Sequence, residues 1–289
     1  MRALLSRDKP GWRADLLGPA DRAAAVSHLL RDMPANLLLL DLADSLGRPL
    51  APNEMPPRVV GMRRGSKLEF VASLRPSIAL DSQMDPECLA ALLPYFEPIH
   101  NGLIKSAQHL VTPLWEQLAA RGRSALIDRP ECCFVLRPGN FDPTLLPKGT
   151  LARAARESDL EMLVVAARAS LREEDRPDPF VGDPVGFRRW VQSRLQRARV
   201  VEVAGRAVFV GYADVRRTEG WLIQGVYTFP QERRRGFAAA GMSAIVEEAF
   251  ALGADHVQLA VVEGNEAATR LYAGLGFEAH SWLRTVLFL

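Results

Sequence analysis

Cysteine is scarce: Cys88, Cys132 and Cys133 are the only three in 289 residues. Three thiols cannot build the disulfide framework of a small secreted domain. Two are adjacent and none stands in a CxxC or Cys/His spacing, so no zinc or other metal site is written here. They read as reduced thiols in a reducing, cytoplasmic compartment. A charge excess is also missing, with 36 Lys and Arg against 34 Asp and Glu. Divided at residue 150, the chain has 18 basic and 16 acidic residues before and 18 of each after. Neither half has the positive surplus of a nucleic-acid binder. Long hydrophobic runs are absent too. The most apolar stretch, 37–43, is interrupted by Asp41 and ended by Asp44, which excludes a membrane span. The opening Met1-Arg2-Ala3-Leu4-Leu5 lacks the apolar run and cleavage site of a signal peptide. Lysine supplies only 4 of the basic residues, a coding bias rather than a function.

What is present is ordinary globular material, 48% apolar and 24% charged. The length allows one large domain or two of about 140 residues. Residues 137–149 hold three prolines and two glycines, which break both helix and strand, so this stretch is expected to be a linker. Before it, apolar spacing predicts helices at 19–30, 35–45, 86–93 and 110–120, with Pro94 ending the third. Strands are expected at 58–62, 68–74, 102–107 and 131–136. After it the order is β-α-α-β-β-β-α-β-α-β: strand 150–154, helix 159–173 capped by Ser158, helix 184–199, strands 200–203, 207–216 and 220–229, helix 237–252, strand 256–262, helix 266–274 and a strand over 277–289. Three consecutive strands joined by tight turns must be antiparallel, so the sheet is mixed and flanked by helices.

The chemistry concentrates in two segments. Gly225-Val-Tyr-Thr-Phe-Pro-Gln-Glu-Arg-Arg-Arg-Gly-Phe-Ala-Ala-Ala-Gly241 runs strand, arginine-rich turn, helix. A helix start offers free N–H groups and the positive end of the helix dipole. Gly236 has no side chain to obstruct a ligand, and three arginines add charge, which together suits a pyrophosphate. On its own such a turn is as well explained by a solvated helix start. One helix and one strand later comes Asn265-Glu-Ala-Ala-Thr-Arg-Leu-Tyr-Ala-Gly-Leu-Gly-Phe277.

At that separation the pair resembles the GNAT superfamily, the N-acetyltransferases that use acetyl-CoA. Arg233-Arg-Arg-Gly236-Phe-Ala238 matches its Gln/Arg-x-x-Gly-x-Gly/Ala loop, and the resemblance spans about residues 150–289. It implies a V-shaped opening between strands 222–229 and 256–262, with the pantetheine arm paired to Val226, Tyr227 and Thr228. Backbone N–H groups from Arg233 through Arg234, Arg235, Gly236, Phe237 and Ala238 to Ala239 would hold the pyrophosphate. Asn265 would reach the pantetheine arm, cap the last helix, or do both. Tyr272 would donate a proton to the departing thiolate as a neutral amine attacks the thioester directly. A strand N–H would stabilise the oxyanion.

No general base stands out. Family members that acetylate protein lysine can carry a Glu early in the first of these strands, where this chain has Leu222 and Gln224. Glu173, Glu174 and Asp175 end a helix beside the presumed acceptor loop, although such charge runs are usually solvated. His256 and His280 stand isolated and read as structural.

The first half has no Arg-x-x-Gly-x-Gly/Ala loop, yet its elements and length are similar to a second, degenerate GNAT fold. The expected class is α/β (α+β) with two GNAT-like mixed-sheet halves: residues 1–136, a linker at 137–149, and a catalytic domain at 150–289. The layout resembles a bacterial two-part acetyltransferase family, through 112–118 and 282–288, and the bipartite glycine N-acyltransferases. GNAT domains usually end in a strand pair after the last helix, but here only about a dozen residues follow Gly276. The missing strand is expected from the N-terminal half or from a second subunit in a homodimer. The expected acceptor is a small amine or amino-acid derivative. A protein N-terminus or lysine, or a non-catalytic acyl-CoA-binding module, is the alternative.

Overall fold

The computed structural model describes residues 11–50 and 55–289. The opening five residues therefore lie outside the described ones. In chain order the elements are β1 (Arg13–Leu16), α1 (Arg22–Leu29), α2 (Met33–Asp44), β2 (Arg58–Arg64), β3 (Lys67–Arg75), β4 (Ala79–Leu80), α3 (Leu89–Phe96), β5 (Gly102–Ala107), α4 (Gln108–Ala119) and β6 (Ala125–Leu136). Then follow β7 (Thr150–Ala154), α5 (Leu160–Glu173), α6 (Pro184–Ser193), β8 (Ala198–Val203), β9 (Arg206–Arg216), β10 (Trp221–Thr228), α7 (Phe237–Ala251), β11 (Val257–Val262), α8 (Glu266–Gly274) and β12 (Glu278–Phe288). The predicted order of the second half is found element for element.

Two units divide the chain. The first takes the residues up to 48, 56–125 and 284–289; the second takes 49–55 and 126–283. In the first, β1-β2-β3-β4 form an antiparallel sheet. Alternation along β2 buries both of its faces. Val59 packs with Leu29, Leu39 and Leu40 from α1 and α2. Val60 and Met62 pack with Leu92, Phe96 and Leu114 from α3 and α4. A four-residue strand such as β1 and a two-residue strand such as β4 are too short to show a period, and the sequence pattern misses both. Pro94 lies inside α3 instead of ending it. The turn continues because Leu92, Leu93 and Phe96 are buried, each worth roughly 1.5–3 kcal/mol, against one lost backbone hydrogen bond.

The second unit is built on the run β6-β11-β10-β9-β8-β7 of the larger sheet. Strands β7 to β10 are antiparallel neighbours, as the tight turns require. Helix α7 is apolar on most of its surface and buries Phe237, Met242, Ile245, Val246 and Ala249 against β8 and β9. The start of α5 differs from expectation. A 3-10 turn, Glu157–Asp159, precedes it, and Asp159 accepts from the Arg156 N–H at 2.7 Å, while Glu161 turns outward to Arg188. Asp159 outcompetes Ser158 because a carboxylate is the stronger acceptor and Arg153 anchors it at 2.6 Å.

The division expected at 137–149 also shifts. Strand β6 begins at Ala125, not Glu131, and pairs antiparallel with β11 at six positions, Glu131–Val262 to Leu136–Val257. Residues 126–136 thus belong with the second unit. The strand that the C-terminal segment lacks is supplied by the same chain, from ahead of the proline-rich stretch. That stretch is packed as well. The Asp142 N–H donates to the Leu275 carbonyl at 3.2 Å, the Thr144 N–H to Ser243 Oγ at 2.8 Å, and Phe141 lies edge-on to Phe250. Gly276 is required there: a Cβ would stand 1.8 Å from the Asn140 carbonyl oxygen.

Candidate active site

Strands β10 and β11 run parallel but stay in register only at Trp221–Val257 and Leu222–Gln258. Beyond those pairs they diverge, so the C-terminal end of β10 offers backbone groups on the side where a strand would sit. The cause is local. Gly225 takes φ +58°, and the β9 register slips between Gln224 and Tyr227, an extra residue that bends β10 away. Val226 and Thr228 are half-buried beside this opening, and Tyr227 is buried.

The turn after β10 leads into α7. Arg234 at φ +59° and Gly236 at φ +81° are both left-handed, a geometry that turns successive N–H groups toward one concavity. Gly236 is the N-cap of α7, and no side chain caps the helix. The N–H groups of Phe237, Ala238 and Ala239 are therefore the unpaired donors of a helix start, and the first helical bond runs from Ala240 to Gly236. Nothing lies within 4 Å of where a Gly236 Cβ would be, so the space before the helix is open. Uncapped donors, open space and the dipole suit a phosphate. The N–H of Arg233 is taken by the Pro230 carbonyl at 3.3 Å, which leaves it outside that set.

The three arginines differ. Arg233 donates to both Glu173 oxygens at 2.7 Å and, through Nε, to the Thr228 carbonyl at 3.0 Å. Arg235 is held by Glu232, which is 4% exposed and also takes Arg206 at 2.6 Å. Among the described residues Arg234 has no side-chain partner, so it is the free cation of the turn. Sequence spacing placed the arginines together but did not reveal Glu232 and Glu173, which neutralise two of them.

Asn265 caps α8, its side-chain oxygen accepting from the Ala268 N–H at 3.1 Å. Tyr272, on the same helix, is 6% exposed and packs edge-on to Phe277 with ring centres 5.6 Å apart. No described residue hydrogen-bonds its hydroxyl. Burial pushes the phenol well above its ordinary range, so it stays protonated at neutral pH.

The acidic run at the end of α5 is not a solvated tail. Glu173 accepts from Arg233 and, at 3.2 Å, from the Tyr227 hydroxyl. Burial and the Glu173 charge both raise the Tyr227 pKa. Glu174 takes Arg129 Nη2 at 2.6 Å, and Arg129 also reaches Glu131, a β6 carboxylate that is 3% exposed. Arg129 and Glu131 were not among the sequence candidates, because β6 precedes the proline-rich stretch and nothing local ties it to β11. His256 is fully buried and bonded to Gln258 at 3.0 Å, and His280 is exposed on β12. The three cysteines are free thiols, and burial pushes Cys88 up to about 12. Among the described residues no His, Cys, Asp or Glu cluster could hold a metal ion, and no helix is long and apolar enough to cross a membrane.

Residues 164–277 match the acetyltransferase (GNAT) family. No curated protein matches the chain. Among solved structures the chain is similar to a Drosophila protein, with a TM-score of 0.70, 14% identity, and 96% of this chain and 99% of that one covered. It is also similar to a GCN5-related N-acetyltransferase from Sphaerobacter thermophilus, with a TM-score of 0.61 at 16% identity over 96% and 95% of the two chains. A tandem GNAT protein from the clavulanic acid biosynthesis pathway gives 0.56 at 14% identity over 96% and 98%. At these identities the likeness shows the fold, and the fold is that of two GNAT-like halves.

Proposed function

Residues 164–277 carry a GNAT acetyltransferase domain, and from that premise we propose that the chain is an acetyl-CoA-dependent N-acetyltransferase acting on a small primary amine in a ternary complex. The observation that carries this reading is the parting of β10 from β11 directly ahead of an uncapped helix N-terminus. The catalytic role belongs to the second unit. The first has no phosphate loop and serves a structural or acceptor-shaping role, and the free thiols fit a cytoplasmic setting.

The N–H groups of Arg234 to Ala239 hold the pyrophosphate, with the free Arg234 guanidinium beside them. Val226, Tyr227 and Thr228 align the pantetheine arm along the open edge of β10, and Arg233 stiffens that edge by tying Thr228 to Glu173. Asn265 fixes the start of α8 and so the position of Tyr272. Acetyl-CoA supplies an activated thioester whose acyl carbon forms the new C–N bond as the C–S bond breaks. One N–H of the β10 edge receives the charge that develops on the acyl oxygen. Tyr272 donates to the thiolate. Its raised pKa makes complete transfer uphill, so its contribution is a strong hydrogen bond with the proton passing late. The amine enters as the free base and its nitrogen releases a proton to water once the C–N bond has formed, since Glu173 and Glu174 are both engaged in ion pairs.

The test is thermal unfolding with and without acetyl-CoA, followed by CoA release with a panel of primary amines. A ligand at one hundred times its Kd adds about 2.7 kcal/mol of stability, a plain rise in Tm. A rise together with amine-dependent CoA release is expected. No rise at millimolar acetyl-CoA would overturn the cofactor assignment, and a rise without release to any amine would leave a binding module.

A further inference from the structure

Arg176 stands out among the arginines of the second unit. Its side chain is 30% exposed, and its closest carboxylate oxygen, on Glu174, is 3.9 Å away, beyond hydrogen-bond reach. No described residue bonds its guanidinium. Glu174 is already committed to Arg129 at 2.6 Å, so Arg176 and Arg129 share one carboxylate. Burial, and the like charge of Arg129, pull the Arg176 pKa below its ordinary value. The group stays charged regardless, since guanidinium does not deprotonate in proteins. A half-buried guanidinium with no carboxylate within hydrogen-bond reach keeps its donors open to an incoming anion.

Its backbone is rigid. Asp175 takes φ +53°, its N–H returns to Arg172 at 3.2 Å, and the Arg176 N–H returns to Leu171 at 2.9 Å. This double bond pattern is a Schellman stop, which sets the direction in which Arg176 leaves α5. Its place follows from its neighbours. Three residues earlier, Glu173 is bonded to Tyr227 at the C-terminal end of β10. Through Glu174 and Arg129 the same segment is tied to Glu131, which pairs with Val262 at the C-terminal end of β11. Residues 173–176 therefore span the end at which β10 and β11 part.

We propose that Arg176, backed by Arg129, is the anion-recognising element of the acceptor pocket, so that the acceptor amine also carries a carboxylate or phosphate. The inference rests on the transferase reading and narrows its substrate class. Arg129, Glu131 and Glu174 are already bonded to one another and form the wall beside Arg176. A neutral amine without an anionic group would leave the Arg176 donors unpaired and would be discriminated against.

The experiment uses the full-length protein at saturating acetyl-CoA and reads CoA release. Free amino acids are compared with their carboxamides, and phosphoethanolamine with ethanolamine. The expected result is a KM for one anionic class at least tenfold below that of its neutral partner, the preferred pair telling carboxylate from phosphate. Arg176→Gln should raise that KM at least tenfold, and Arg176→Lys should recover part of it. The acetyl-CoA-induced rise in Tm serves as the folding control. Equal use of anionic and neutral acceptors by the wild-type protein overturns the proposal and leaves the transferase reading standing. Transfer to no amine at all, with acetyl-CoA bound, overturns that reading and the proposal with it.

Discussion

Tyr272 and His256 are both buried and both titratable, yet their consequences differ. Removing the Tyr272 hydroxyl leaves the Phe277 contact and the apolar surroundings in place, so Tyr272→Phe should fold normally. The loss of one hydrogen bond to a developing charge predicts a fall in kcat of roughly tenfold to a hundredfold, with acetyl-CoA affinity unchanged. Steady-state kinetics decide it, and unchanged turnover would remove Tyr272 from the mechanism. His256 affects stability. Burial, with Arg137 adding a smaller push against the opposing pull of Gln258 and Asp255, lowers its pKa, so the native ring is neutral. The unfolded ring titrates near 6.5. Between that value and the lower native one the unfolded chain binds more protons, so stability falls as pH drops below about 6.5. Urea unfolding between pH 7.5 and 5 should show this decline, and His256→Gln should flatten it.

At the scale of elements, the N-terminus of α7 is the sharpest case. Its position was legible from Gly236 and the three alanines after it, because a helix start and an apolar run are local properties. What Arg233 and Arg235 do was not legible, since Glu173 lies 60 residues from Arg233 and Arg206, the other partner of Glu232, lies 26 residues from it. Gly236→Ala meets no atom within 4 Å but must keep φ at +81°, a strain of about 1 kcal/mol. It should weaken acetyl-CoA binding only mildly. Gly236→Glu bears the same strain and adds a carboxylate before the unpaired donors, and it should abolish the acetyl-CoA-induced rise in Tm. Equal rises in both variants would refute the phosphate site. The bend of β10 was invisible beforehand, because a bulge depends on the register of the partner strand as much as on a glycine.

For the whole molecule, the decisive fact is that β6 lies beside β11. A fragment of residues 150–289 would leave the β11 edge from Val257 to Val262 without its partner and would lack Arg129 and Glu131. An open apolar edge invites pairing with other chains. Deleting residues 1–149 should therefore give an aggregating product without transferase activity. A monomeric and active fragment by size-exclusion chromatography and CoA release would show that β6 is dispensable.

The sequence by itself determined the order of elements after residue 150, the two motifs of the site and the cap at Asn265. Each rests on contacts within a few residues, where periodicity, capping and turn chemistry act. Tertiary structure decided which strand completes the second sheet, which arginines are spent in hydrogen-bonded ion pairs and that Arg176 has no carboxylate within hydrogen-bond reach. The proline-rich stretch shows the reason. Composition says that such a segment cannot be helix or strand. Whether it hangs free or packs depends on Gly276, Ser243 and Phe250, more than 90 residues onward, and only folding brings those groups to it.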